Sequence, residues 1–154
     1  MRFSLISLAG ITLLAFLSGP LQAAETTKPG GGRLTAATPA GKNRIVIQVN
    51  EENVKKWNEV LVNIHNIQAE LGTANVAIAV VAIGPGLGML TAESLAANGV
   101  QDALAAGVEF VACGNSMKAQ KLARDDLTDG VTVSTAGYVE LMRRQQQGWA
   151  YLRP

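Results

Sequence analysis

The sequence predicts an α/β fold: three layers, with a mostly parallel central sheet and helices on both of its faces. Three observations predict it. Runs rich in β-branched residues recur at residues 44–49, 75–83, 108–112 and 131–133. Segments of helical periodicity separate them, the order expected of parallel sheets with crossover helices. The run 75–83 is apolar on both faces, as in strands covered from both sides.

The first 23 residues are expected to be removed. Arg2 supplies a positive start, residues 5–17 are almost wholly apolar, and Ser18-Gly19-Pro20 breaks the run before Leu21-Gln22-Ala23. This is the layout of a secretory signal peptide, with cleavage after Ala23 and Ala24 as the alternative. The run is shorter than the roughly 20 residues that span a bilayer. It holds no cysteine for a lipid anchor. The expected location is therefore the periplasm of a bacterium. Residues 24–43 are rich in Thr, Gly, Ala and Pro, lack apolar periodicity and read as a flexible linker. One α/β domain is expected over residues 44–154, at ~110 residues a common single-domain size.

Within that domain each element has its own signal. Residues 44–49 are a buried strand. Asn50 is the expected N-cap of the next helix, with Glu51 and Glu52 in its first turn where the helix dipole favours acids. Val54, Trp57, Leu61, Ile64 and Leu71 follow at helical spacing, and Gly72 stops the helix. After the second strand, Gly84-Pro85-Gly86 turns the chain. A helical region is expected through residues 89–97 and again over 100–106. Gly107 ends it, and the third strand leads to Cys113. A helix over 116–124, a polar turn, the strand 131–133 and a helix over 136–147 come next. Gly148 closes that helix, and residues 149–152 read as a final strand or a packed tail.

Charge excludes one class of partner. Lys and Arg total 13 and Asp and Glu 12. Loss of Arg2 with the signal makes the two equal. The basic residues are scattered, so nothing supports nucleic-acid binding. No membrane association is expected once the signal is removed.

The chain has one cysteine. An exported protein with a lone thiol cannot form an internal disulfide, and the thiol is flagged as reactive or intermolecular. In parallel sheets functional groups gather beyond the carboxyl ends of the strands, which singles out residues 50–53, 84–88 and 113–116. Cys113 stands where a strand passes into a helix. Gly114 and Asn115 offer open backbone N–H groups, and a helix N-terminus favours thiolate. Lys118 is expected on the first turn, adding positive charge, and no acid occurs between residues 113 and 124. The competing reading is a small buried hydrophobe at a strand end.

Other candidates are weaker. The glycines of residues 84–88 miss the dinucleotide spacing, and Pro85 removes a donor that phosphate would need. Gly84 and Gly86 are instead expected to wall one side of the Cys113 pocket. His65 is the lone histidine, so no zinc site is expected within a subunit. It reads as a partly exposed helix residue. Trp57, Met89, Met117, Tyr138 and Met142 read as packing, and Trp149 and Tyr151 as packing against a neighbouring subunit.

Several segments together resemble the DsrE/DsrF-like family, and its exported branch in particular. They are residues 44–49 with the Trp57 helix, residues 80–86, residues 107–117 around Cys113, and the tail 145–154. The resemblance covers the whole expected domain. It implies a flavodoxin-related α/β sheet, homo-oligomers that are commonly trimers or hexamers, and a cysteine at the Cys113 position that carries sulfane sulfur as a persulfide. On this reading Cys113 is the nucleophile of a sulfur carrier or sulfurtransferase. Gly114, Asn115, Ser116 and Lys118 support it, and a thiol-bearing donor or acceptor is its partner. No cofactor and no metal are expected. The alternative is a non-catalytic homo-oligomer that binds a small ligand and in which Cys113 is structural.

Overall fold

The computed structural model describes residues 43–154. The expected signal segment, and all of the expected linker except Asn43, lie outside the described residues. Asn43 itself opens the first strand rather than ending a linker, pairing with Val76 and donating from its side chain to Asn75 O at 3.1 Å.

Among the described residues, five strands form the sheet: β1 (Asn43–Val49), β2 (Val76–Ala82), β3 (Glu109–Cys113), β4 (Thr132–Ser134) and β5 (Ala150–Leu152). Their order is β4-β3-β2-β1-β5, and every strand pairing is parallel. The ambiguous segment near the end is thus a strand, laid beside β1. Tyr151 Oη donates to Gln48 Oε1 at 2.6 Å, so the polar Gln48 is satisfied although buried.

Among the described residues, four helices cover the sheet: α1 (Val54–Leu71), α2 (Ala97–Ala105), α3 (Gly114–Gln120) and α4 (Gly137–Gln146). One face carries the larger core, in which Trp57, Val60 and Ile64 of α1 pack with Val100 of α2, Met117 of α3 and the strand residues Ile47, Ile78, Val80 and Phe110. The opposite face is covered by α4 among the described elements. Its inward residues Gly137, Leu141 and Arg144 fall at helical spacing. Leu141 meets Val46, Ala79, Val81, Ile83, Val111 and Cys113 there.

Several boundaries differ from the sequence reading, each for a local reason. The N-cap of α1 is Asn53, not Asn50: Asn53 Oδ1 accepts from Lys56 N at 3.2 Å. Glu51 and Glu52 therefore precede the helix, and the Glu51 carbonyl accepts from Trp57 Nε1 at 2.8 Å. Residues 84–90 form a 3-10 turn, and residues 91–96 are not helical. The backbone there bonds across to another loop, with Ala92 N on Asp126 O and Thr128 N on Leu90 O, both at 2.9 Å. The third helix begins at Gly114, directly after the cysteine, and ends before Lys121, whose φ of 57° is left-handed. Leu122 N then returns to Met117 O at 2.9 Å, closing the helix end.

Two adjacent strands send their helices to opposite faces of the sheet. The connection leaving β3 enters α3 on the larger-core face, whereas that leaving its neighbour β4 enters α4 on the other. Adjacent parallel strands whose outgoing helices diverge leave a crevice between their carboxyl ends, the usual place for a site in open α/β sheets.

Candidate functional site

Cys113 occupies that crevice. It is the last residue of β3 and at once the N-cap residue of α3. Strand alternation turns its side chain toward the α4 face, where the residue retains 4 % exposure. The first residue of α4 comes directly over it: Gly137 N–H donates to Cys113 Sγ at 3.2 Å. Two helix starts thus converge on one sulfur, α3 through its own chain and α4 from across the crevice.

Gly137 is required for that approach. A Cβ at this position would lie 2.8 Å from Ile83 Cγ1 and 3.0 Å from Cys113 Cβ, inside van der Waals contact. Only the smallest residue lets the α4 start sit low enough for its N–H to reach the sulfur.

Ser116 supplies a second donor. Its Oγ accepts from Gly84 N–H at 2.8 Å, which leaves its own proton for the sulfur. Gln120, one turn further along α3, donates from Nε2 to Gly84 O at 2.6 Å, so both polar groups of the Gly84 peptide are tied to α3. Asn115 N–H donates mainly to Thr135 O at 3.1 Å and only adds to the field at the sulfur.

These donors outweigh burial. Desolvation pushes the thiol up and is the largest single influence. Against it act the Ser116 hydroxyl, then Gly137 N–H, then the N–H groups of Ser116 and Asn115, and the thiol ends below its ordinary value. The arrangement stabilises sulfur as an anion and so favours a nucleophile.

The expected site residues sort into two groups. Cys113, Asn115 and Ser116 come together at the sulfur, Gly84 holds the Ser116 hydroxyl beside it, and Gly114 begins the helix there. Gly86 belongs to the scaffold of the same end of the sheet: a Cβ on it would lie 2.4 Å from Val49 O. Lys118 is placed differently from expectation. Because Cys113 itself is the N-cap, Lys118 is the fifth residue of the helix rather than on its first turn, it is exposed, and it takes no part in lowering the thiol. Gly137 and Gln120 were not legible in the sequence. Gly137 lies 24 residues from Cys113 and reaches it only because α4 crosses the sheet. Its sole local signal is a glycine at the start of a helix.

No group of three or more His, Cys, Asp or Glu among the described residues could hold a metal. His65 is exposed on α1. No helix of the described residues is long and apolar enough to cross a membrane.

Comparison with known proteins agrees with this architecture. The model of the DsrE/DsrF-like family matches residues 61–154, a span that includes Cys113 and every donor around it. The structure of MTH1491, a protein of unknown function from Methanobacterium thermoautotrophicum, is 34% identical with a TM-score of 0.71, covering 73% of this chain and 100% of that one. The ychN protein from E. coli is similar in fold at 16% identity and a TM-score of 0.63, covering 73% of this chain and 99% of that one. BT1422 from Bacteroides thetaiotaomicron, also of unknown function, has the fold at 14% identity and a TM-score of 0.56, with 71% and 94% covered. No curated protein matches the chain. With the family model spanning most of the chain, and the same α/β fold in its structural neighbours, this protein belongs to the DsrE/DsrF-like family.

Proposed function

We propose that the protein carries or transfers sulfane sulfur through a persulfide on Cys113, acting after export to the periplasm and as a homo-oligomer. The observation that carries the reading is a buried thiol whose donors, Ser116 Oγ–H and Gly137 N–H foremost, hold it below the ordinary thiol range. Family membership is consistent with it, since the family includes sulfur-relay proteins. Export rests on the signal-like first 23 residues.

The chemistry is a pair of sulfur exchanges. The Cys113 thiolate attacks the outer sulfur of thiosulfate, the S–S bond of thiosulfate breaks, sulfite leaves with the bonding pair, and Cys113–S–S⁻ remains. An acceptor thiolate then attacks the outer sulfur, and Cys113 leaves as thiolate. Neither step needs an external oxidant or reductant. Donors that stabilise the thiolate also stabilise Cys113 as the leaving group.

The burial of the same sulfur among Ile83, Val111 and Leu141 supports a second reading, a small-ligand-binding oligomer with a structural cysteine. Intact mass after treatment with thiosulfate or polysulfide separates the two. The expected result is the gain of one sulfur atom, absent in Cys113→Ser. A folded protein whose Cys113 resists both sulfuration and alkylation sinks the carrier reading and leaves the structural one.

A further inference from the structure

A polar groove of about 560 Å³ runs along the α4 face of the sheet, between α4 and the β4 edge. Its floor is set by the strand register. Glu109 and Val111 of β3, with Thr132 and Ser134 of β4, line it, and Val111 pairs with Thr132. Alternation puts Glu109, Val111 and Cys113 on one face of β3. Cys113 pairs with Ser134, so it is the next floor position, at the end where Gly137 forms the roof. The groove thus ends at Ser134 and Ala136, beside the floor position that Cys113 occupies.

Its walls carry both signs of charge. Arg143 is exposed on α4 and makes no ion pair among the described residues. Glu109 and Glu140 each give one oxygen to the buried Arg144, at 2.7 Å, and keep the other. The rise from Gly137 to Arg143 along α4 is about 9 Å. An amino-acid thiol whose sulfur engages the outer sulfur of the persulfide can set its carboxylate against Arg143 and its ammonium against the acids.

Resting on the persulfide reading above, we infer that this groove is the binding site for a zwitterionic low-molecular-weight thiol, an amino-acid or small-peptide thiol that exchanges sulfur with Cys113. In the forward direction the thiol releases its proton to solvent. Its thiolate attacks the outer sulfur of Cys113–S–S⁻, a new S–S bond forms, the old one breaks, and Cys113 departs as thiolate. The products are the thiol's persulfide and the free enzyme thiolate. The same groove serves the reverse reaction, in which the small persulfide is the donor.

The test uses the protein loaded with polysulfide, desalted, and checked by intact mass. Loss of the extra sulfur is then followed with L-cysteine, 3-mercaptopropionate, cysteamine and uncharged 2-mercaptoethanol, with rates compared per thiolate. L-cysteine is expected to react about tenfold faster than 2-mercaptoethanol, the scale of one charge-assisted contact. Arg143→Gln, at an exposed helix position, is expected to bring the L-cysteine and 3-mercaptopropionate rates down to that of 2-mercaptoethanol with the same variant. Equal rates for all four thiols, or no effect of Arg143→Gln, overturn the groove assignment and leave the carrier reading standing. A protein that never gains the sulfur overturns both.

Discussion

A cysteine at a strand end is chemically ordinary until donors surround it. Here they come from Gly137 and Ser116, and the effect is expected to show as a pH dependence of stability. An unfolded thiol keeps its ordinary value, and the folded one is held below its ordinary value. Between the two values the unfolded chain holds a proton that the folded chain has released, so stability rises with pH across that window. The gain is complete above the unfolded value and is lost as pH falls through the folded one. Urea unfolding from pH 6 to pH 10 is expected to show this rise, and Cys113→Ser to flatten it. Gly137→Ala is expected to narrow the window, because the added Cβ forces the α4 start away from the sulfur. Overpacking of this kind typically costs about 1–3 kcal/mol. The pH dependence of alkylation should move upward in the same variant. An unchanged profile would mean that Gly137 N–H does not hold the thiolate. The sequence marks Cys113 through its neighbours Gly114 and Asn115. It contains no mark linking residue 113 to residue 137.

At the scale of elements, boundaries were set by partners that local sequence does not name. Asn50 and Asn53 are both competent caps. Asn53 is used, while the Glu51 carbonyl ahead of it receives the Trp57 indole N–H. The helix after Cys113 is shorter at its far end than its composition suggests because Lys121 turns left-handed and Leu122 packs against the core. A β-carbon in that conformation costs roughly 1–2 kcal/mol, part of which glycine would return to the unfolded chain as entropy. Lys121→Gly is therefore expected to stabilise the protein by about 0.5–1 kcal/mol, read as a higher urea midpoint at unchanged slope. The Lys121 side chain is exposed and is not among the groups that lower the thiol, so the alkylation profile of Cys113 is expected to stay as it is.

Across the whole molecule, Arg144 links parts that the sheet alone would leave loosely joined. It is buried, pairs with Glu109 of β3 and Glu140 of α4, and lies 4.5 Å from the centre of the Trp149 ring just before β5. Burial lowers its affinity for a proton, and the two glutamates more than restore it. Removing one member of such a cluster leaves charges without partners. Both glutamates keep some exposure, which moderates the penalty, so Arg144→Met is expected to cost about 2–3 kcal/mol in urea unfolding. Arg144→Lys should recover only part of it, because an ammonium cannot reach both carboxylates and stack on the indole as a planar fork does.

The sequence by itself determined the class of fold, the approximate places of the strands, and the end of the sheet at which Cys113 sits. Those depend on side-chain periodicity and β-branched runs, which are local properties of the chain. The final strand was open between two readings until the β1 edge received it. Tertiary structure alone decided what surrounds the sulfur. The donors on Gly137 and Ser116, the clamp from Gly84 to Gln120, and the groove beside Arg143 depend on which face each helix takes after its strand. That choice brings together residues tens of positions apart, and it is made by packing of the whole sheet rather than by any segment of it.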